Sequence, residues 1–262
     1  MRHSATRALL ERDDVLIVAS VSCLYGIGSV ETYSAMIFDL KKGTSVDRQE
    51  IIRKLVALQY KRNEVNFARG SFRLKGDTLE IFPSHYEDMA WRVGFFGDEI
   101  ETIRAFDPET QRTVGQLRSL DLVPMSEVQL TTETIRRFRQ GYVASFGAAT
   151  RDDRLYETVS EGRRYAGLEH WMPLFYERLD TLFDYVSGVP ILLDARAEEA
   201  AAERLALIGD YYEARRDAAP QAGVAPYKPL PPRALYLTPN ELKERIATAT
   251  VARLTPFAQP ES

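Results

Sequence analysis

The stretch Phe72-Arg73-Leu74-Lys75-Gly76-Asp77-Thr78-Leu79-Glu80-Ile81-Phe82 decides how the middle of this chain folds. Apolar and polar residues alternate on both sides of Gly76-Asp77, a pair suited to a tight turn. Strand side chains alternate between faces, so Phe72 and Leu74 point one way and Arg73 and Lys75 the other. The reading is a hairpin with one face on a core and one in water. Pro83 stops the second strand, because proline has no amide to give to a ladder. Trp91-Arg92-Val93-Gly94-Phe95-Phe96, then Gly97-Asp98, then Glu99-Ile100-Glu101-Thr102-Ile103 repeat the pattern and predict a second hairpin. Val114 to Val123 can supply another strand. Upstream, Asp47 with Glu50 marks a helix start, since both carboxylates can take free backbone amides. Ile51, Ile52, Leu55, Val56 and Leu58 give that helix an apolar face, and Gly70 breaks the pattern. Residues 46–124 therefore read as a small α+β module, one helix packed on an antiparallel sheet.

The flanks read differently. Residues 1–45 open with a helix that Ser4 would cap, with Ala8, Leu9 and Leu10 as its apolar members and Asp13-Asp14 at its end. The run Val15-Leu16-Ile17-Val18-Ala19 suits a strand buried on both faces, as in a parallel sheet. Gly26 and Gly28 then make a tight strand-to-helix turn, and Ser29 caps a short helix through Tyr33 toward Met36. Such a strand-turn-helix unit is too small to fold alone. In residues 125–262, Ile135, Phe138, Tyr142 and Phe146 recur at helical spacing. A second strand-like run is Val189-Pro190-Ile191-Leu192-Leu193-Asp194, and residues 15–19 and 189–193 are expected to pair. Residues 196–218 read as a charged, Ala-rich helix with Leu205, Ile208, Tyr211 and Tyr212 on one side. The stretch 219–233, with Pro229-Leu230-Pro231-Pro232, reads as a loop or extended linker. A short helix near 240–247 and a frayed end follow. The fold class is α/β plus α+β: the small module inserted in a partial α/β layer.

The chemistry in the sequence excludes more than it proposes. The chain has 262 residues, 45% of them hydrophobic, and a net charge of -4. That balance excludes coating nucleic acid by bulk charge and leaves room for a local basic face. A single cysteine, Cys23, excludes a disulfide scaffold and favours a reducing compartment. No apolar run reaches the roughly 18 residues of a membrane helix, and no signal core follows the N-terminus. A cytoplasmic protein with no membrane partner is expected. His3, His85 and His170 fit no metal-ligand spacing. There is no Gly-x-Ser-x-Gly elbow and no Gly-x-x-x-x-Gly-Lys-Ser/Thr phosphate loop. Gly26-Ile27-Gly28-Ser29 comes nearest, without the third glycine or the lysine. Asp13-Asp14, Asp152-Asp153 and Glu198-Glu199 read as solvated pairs. No catalytic, cofactor-binding or metal-binding residue emerges.

One surface stands out. Arg73 and Lys75 share a strand face, and Arg92 joins them if the two hairpins lie in one sheet; Arg62 and Arg69 flank the entry. Such a face reads as a docking patch for an acidic partner or a phosphate backbone. From pattern alone the better reading is a solvated strand face whose cations resist edge pairing. No stacking aromatic is expected on the Arg73/Lys75 face, which favours a protein partner over a single strand.

Several strings also carry a resemblance. Arg2-His3-Ser4-Ala5-Thr6-Arg7-Ala8-Leu9-Leu10-Glu11-Arg12 and Ile17-Val18-Ala19-Ser20-Val21-Ser22-Cys23-Leu24-Tyr25-Gly26-Ile27-Gly28 resemble the UvrB family, the damage-verifying subunits of the bacterial excinuclease. So do Leu58-Gln59-Tyr60-Lys61-Arg62-Asn63, Arg69 through Asp77, Ile81-Phe82-Pro83 and Phe96-Gly97-Asp98-Glu99-Ile100-Glu101, so that residues 1–107 are covered. From about residue 108, Gly167-Leu168-Glu169-His170-Trp171-Met172-Pro173-Leu174-Phe175 and Thr181-Leu182-Phe183-Asp184-Tyr185 resemble the Mfd family of transcription-repair coupling factors.

The resemblance implies a UvrA-interaction module inserted in a partial RecA-like, helicase-type layer. It implies nucleotide excision repair as the setting and UvrA as the partner, with DNA and RNA polymerase met in the full-length context. By motif, the UvrA contact falls on Arg62, Arg73, Lys75 and Arg92, with Phe96 as an apolar neighbour. Lys75 stands for the usual arginine and keeps the charge without the fork. Gly94 stands where the family tends to place a carboxylate. Full-length members use ATP and Mg; the phosphate loop and DNA-clamping hairpin lie upstream of these residues, and Asp194-Ala195 replaces the usual Asp-Glu pair. The resemblance therefore implies a binding module rather than an ATPase or nuclease, with no cofactor of its own. The alternative is a helicase-like, ATP-dependent, DNA-binding repair subunit. Direct DNA binding through the same cations is a third reading.

Overall fold

The structure, a computed structural model, describes residues 2–12, 14–83, 85–124, 126–150, 152–186, 188–218 and 227–255. The chain divides into two compact units, Met1–Leu16 with Glu31–Gln129, and Ile17–Val30 with Leu130–Ser262.

The first unit holds helix α1 (Arg2–Glu11), most of α2 (Val30–Ala35), strand β1 (Phe38–Lys41) and α3 (Arg48–Ala57). Strands β2 (Lys61–Arg62), β3 (Ser71–Lys75), β4 (Thr78–Phe82), β5 (Ala90–Phe96), β6 (Glu99–Phe106), β7 (Thr113–Leu117) and β8 (Ser119–Leu122) follow. β2 through β7 form one six-stranded sheet in chain order, antiparallel except where β2 joins β3. β1 pairs antiparallel with β8 in a separate two-stranded sheet.

Local chemistry explains this layout. Asp47 caps α3 by accepting from the Gln49 amide at 2.9 Å, and Glu50 pairs with Lys54 one turn on rather than reaching back. Gly76 and Gly97 sit at φ of 60° and 61°, the left-handed conformation that both hairpin turns require. Ile51, Leu55 and Leu58 of the helix face pack with Phe72, Leu79, Ile81, Trp91, Val93 and Ile103 of the sheet in one buried cluster. Val56, expected on that face, is exposed. The predicted helix-on-sheet module is thus the architecture of this unit. The single strand expected between residues 114 and 123 is broken into β7 and β8, which belong to different sheets.

The expectations for the flanks need correction. Val15 to Ala19 form no strand: the segment has no ladder partner, and Leu16 and Val18 are 86% and 93% exposed. A β-branched run makes a buried strand only where neighbours cover it. α1 begins ahead of Ser4, so Ser4 does not cap it. Gly26 is not in a strand-to-helix turn. Its amide donates to Leu235 at 2.6 Å, and a Cβ there would stand 2.8 Å from Leu179, so glycine allows a close backbone approach.

The second unit contains α4 (Thr132–Phe146), α5 (Arg154–Ser160), α6 (Leu182–Tyr185), β9 (Ile191–Leu193), α7 (Ala197–Arg216), α8 (Pro239–Ala247) and β10 (Val251–Arg253). β9 pairs with β10 in parallel, not with residues 15–19, and Leu192 is 60% exposed. Phe138 stacks on Phe175 at 4.9 Å, and Tyr142 joins them to complete an aromatic core.

Asp153, expected to be solvated, lies in that core's wall. It caps α5 through the Tyr156 amide, accepts the Tyr142 hydroxyl and binds Lys228 Nζ at 2.7 Å. Trp171 Nε1 donates to the Lys228 carbonyl at 2.8 Å, and Leu230 is buried. Residues 227–233 are therefore a strap fastened to the helices rather than a free linker. Residues 219–226 and the end expected to fray, 256–262, lie outside the described residues. Among the described residues no helix is long and apolar enough to cross a membrane.

Candidate functional site

The second face of the six-stranded sheet carries the polar side chains. Its ladder aligns Arg73, Glu80, Arg92, Arg104 and Gln116 in one row across β3 to β7. Alternation sets them all on the face away from the core. The row brings together two of the four expected cations, Arg73 and Arg92, and adds a residue that changes their meaning, Glu80.

Glu80 is 1% exposed. Its Oε2 accepts from Arg73 Nε at 2.6 Å and its Oε1 from Arg92 Nε at 2.7 Å, while Lys75 Nζ stands 3.6 Å away. Burial alone would raise the Glu80 carboxyl. The hydrogen bonds and charges of Arg73 and Arg92 outweigh it and hold the group below its ordinary 4.5. The Gln111 side chain reaches in from the β6–β7 loop, its Oε1 3.2 Å from Arg92 Nη2 and its Nε2 donating to the Pro108 carbonyl. Gln111 holds a left-handed backbone, φ 61°, to do so.

Aromatic rings lie under the guanidinium groups. Arg73 Cζ is 4.3 Å from the Phe67 ring centre and Arg92 Cζ is 4.2 Å from that of Phe106. Phe67, Phe82, Ala90 and Phe106 form a small apolar cluster at this end of the face. The expectation of a face without stacking aromatics is therefore overturned, although the rings serve the arginines and Phe82 and Phe106 are buried.

The individual residues fare as follows. Arg73 is 9% exposed, so it supports the face from within rather than projecting from it. Arg92 is partly exposed, and Lys75 is exposed at the hairpin end. Arg62 is separated from them: it pairs in register with Phe72, on the opposite side of the pleat, and binds Glu64 at 2.9 Å at the sheet edge. Arg69 lies 3.6 Å from Glu87. Phe96 ends β5 and is 78% exposed, about 13 Å along the strand from Arg92 at the usual rise per residue. Gly94 lies beside Thr102, whose Oγ1 would stand 2.6 Å from a Cβ at that position.

Two residues escaped the sequence reading. Glu80 follows from the turn itself: with Gly76-Asp77 as the loop, Lys75 meets Thr78 and Arg73 must meet Glu80. Arg104 follows from the second hairpin, where it meets Arg92 in the ladder. Among the described residues Arg104 has no ion pair. Arg73, Lys75 and Arg92 thus surround a single buried carboxylate, Arg104 stands across the ladder from Arg92, and the row keeps an excess of positive charge. It can take an acidic surface: Arg92 presents a clamped donor, Lys75 is exposed beside its long contact to Glu80, and Arg104 offers charge that no ion pair among the described residues consumes.

Comparison with known proteins agrees with this architecture. Residues 38–128 match the family model of the UvrB interaction domain. Over 126 residues the chain is 52% identical to UvrABC system protein B of Clostridium botulinum, covering 48% of this chain and 19% of that protein. The chain thus spans about a fifth of that relative's length. The match includes β1 and β8, whose Leu40, Leu120 and Leu122 join the buried cluster that holds Ile51 and Leu55 of α3. Over residues 38–128, this chain is similar to the UvrB interaction domain.

Proposed function

We propose that this chain is a nucleotide excision repair protein that docks UvrA through the second face of its six-stranded sheet. The observation that carries the reading is the coincidence of two facts. The UvrB interaction domain match spans residues 38–128, and within it the Arg73–Glu80–Arg92–Arg104 row keeps more cations than its one carboxylate balances. Arg92, Lys75 and Arg104 supply the charge, Phe96 supplies an exposed apolar anchor farther along the same strand as Arg92, and Arg73 with Glu80 holds the row in place. Arg62, at the sheet edge, contributes from the rim if UvrA wraps that edge.

The chemistry proposed is binding without catalysis, with ATP and Mg left to longer family members. The sequence of this chain holds no phosphate loop, and Asp194-Ala195 offers one carboxylate where a metal-binding pair would stand. Of the partial RecA-like layer expected from residues 15–19 and 189–193, the parallel pair β9–β10 supports the later part alone, since residues 15–19 form no strand. The resemblance of the later residues to Mfd makes transcription-coupled repair, with RNA polymerase nearby, the setting in which the docking is used. A cytoplasmic location follows from that role.

Calorimetric titration of purified UvrA into the chain tests the reading. A saturable complex that persists when DNA is removed supports it. Affinity only in the presence of DNA, falling steeply with salt, would instead favour direct nucleic-acid binding by the same cations.

A further inference from the structure

The second unit contains a cleft of about 270 Å³ walled by α7 and the 227–236 strap. Arg204, Ile208, Tyr211 and Arg215 recur at helical spacing, so they form one stripe of α7 along its floor. Tyr25, Tyr227 and Tyr236 face that stripe. Tyr25 and Tyr236 meet edge to face at 5.4 Å, which fixes both rings. Arg215 lies 5.0 Å from the Tyr227 ring centre, whereas Arg204 has no ion pair among the described residues. Tyr211 is 58% exposed, a large ring with an open side.

Three features of the lining narrow the ligand. Its charged side chains are the arginines Arg204 and Arg215, in a chain of net charge -4, so the cleft selects an anion. Its remaining lining divides about evenly between aromatic rings and aliphatic or proline side chains, which suits a flat, polarisable group. Its volume lies near the lower end of ligand sites, enough for one base with its sugar and phosphate. Rings that stack with bases, beside arginines that take phosphates, are the usual means of holding unpaired nucleotides. We propose that this cleft binds a nucleobase together with its phosphate, either as one unit of a single strand or as a free nucleotide. Tyr211 stacks on the base, and Arg204 and Arg215 take the phosphate. The site lies in the second unit and is independent of the UvrA reading.

Fluorescence anisotropy of the full chain tests this with two probes, a labelled oligothymidine and a fluorescent AMP. Binding of the oligomer alone assigns the cleft to single strands; binding of both assigns it to a single nucleotide unit. In either case Tyr211→Ala weakens binding about five- to a hundred-fold. Arg204→Glu weakens it further, and one neutralised phosphate makes the affinity for the oligomer fall about 2.6-fold between 50 and 200 mM salt. Tyr211 is largely exposed, so its variant keeps the wild-type thermal unfolding curve, which separates a lost contact from a lost fold. Absence of binding by both probes overturns the assignment. So does binding that survives both substitutions, or binding that Arg92→Glu abolishes while Tyr211→Ala does not.

Discussion

Arg73 and Glu80 face each other across the β3–β4 hairpin, and Arg73 Nε donates to a Glu80 carboxylate that water hardly reaches, at 2.6 Å. The pair is the fixed point of the docking face, because Arg92 shares the same carboxylate from the next strand. Removing the anion leaves two guanidinium groups without their counter-charge. Glu80→Ala is expected to cost about 3–5 kcal/mol, the usual penalty for breaking a buried pair. Amide exchange in β3 to β5 measures this, and unchanged protection would show that the pair stabilises little.

The pH dependence follows from the same carboxyl. Its pKa is lower in the folded state than its ordinary 4.5, despite burial, because Arg73 and Arg92 bind the charged form. The stabilisation is therefore complete above about pH 4.5 and is lost as the pH falls through the lower folded value. Thermal unfolding between pH 3 and 7 should show this acid loss in the wild type. Glu80→Gln, with no carboxyl at that position, should show a flatter profile over the same window.

Gly94 and Thr102 are a fitted pair. A Cβ at Gly94 would stand 2.6 Å from Thr102 Oγ1, so Gly94→Ala forces the threonine to move. Overpacking of this kind costs about 1–3 kcal/mol. Thr102→Ala should relieve it, and a double-mutant cycle in urea measures the coupling. Additive effects would mean that Thr102 turns aside freely.

Lys228 and Asp153 fasten the strap. Asp153 is also the cap of α5 and the acceptor for Tyr142, so Asp153→Ala removes three contacts at once. A loss of about 3 kcal/mol is expected, combining a buried pair with a cap. Limited proteolysis reads it directly: bonds in 227–233 should resist in the wild type and be cut early in the variant.

How much of this was written in the sequence depends on the distance between interacting residues. The hairpins were legible because their turns are local: Gly76-Asp77 and Gly97-Asp98 each sit between alternating runs, and alternation gave the faces. Even Glu80 was within reach, since a two-residue loop dictates what Arg73 meets. Arg62 could be put at the entry to the sheet but not in register, because β2 runs parallel to β3 and parallel pairing leaves no turn to set it. The run Val15–Ala19 misled for a related reason. Its residues suit a strand, and only the absence of neighbouring strands, a property of the whole fold, leaves Leu16 and Val18 in water. Asp153 looked solvated because both Tyr142 and Lys228 reach it from distant segments. The strap looked free because prolines disfavour regular structure, and nothing local reveals that Trp171 holds it.

The docking face is tested most directly by its outward parts, since Arg73 cannot be reversed without disturbing Glu80. Arg104→Glu and Phe96→Ala leave Arg73 and Glu80 themselves unchanged and alter what the face presents. Titration of UvrA into each variant is the decisive measurement. The account predicts at least ten-fold weaker binding for Arg104→Glu, a clear loss for Phe96→Ala, and both sheets folded as in the wild type. Wild-type affinity in both variants would contradict it.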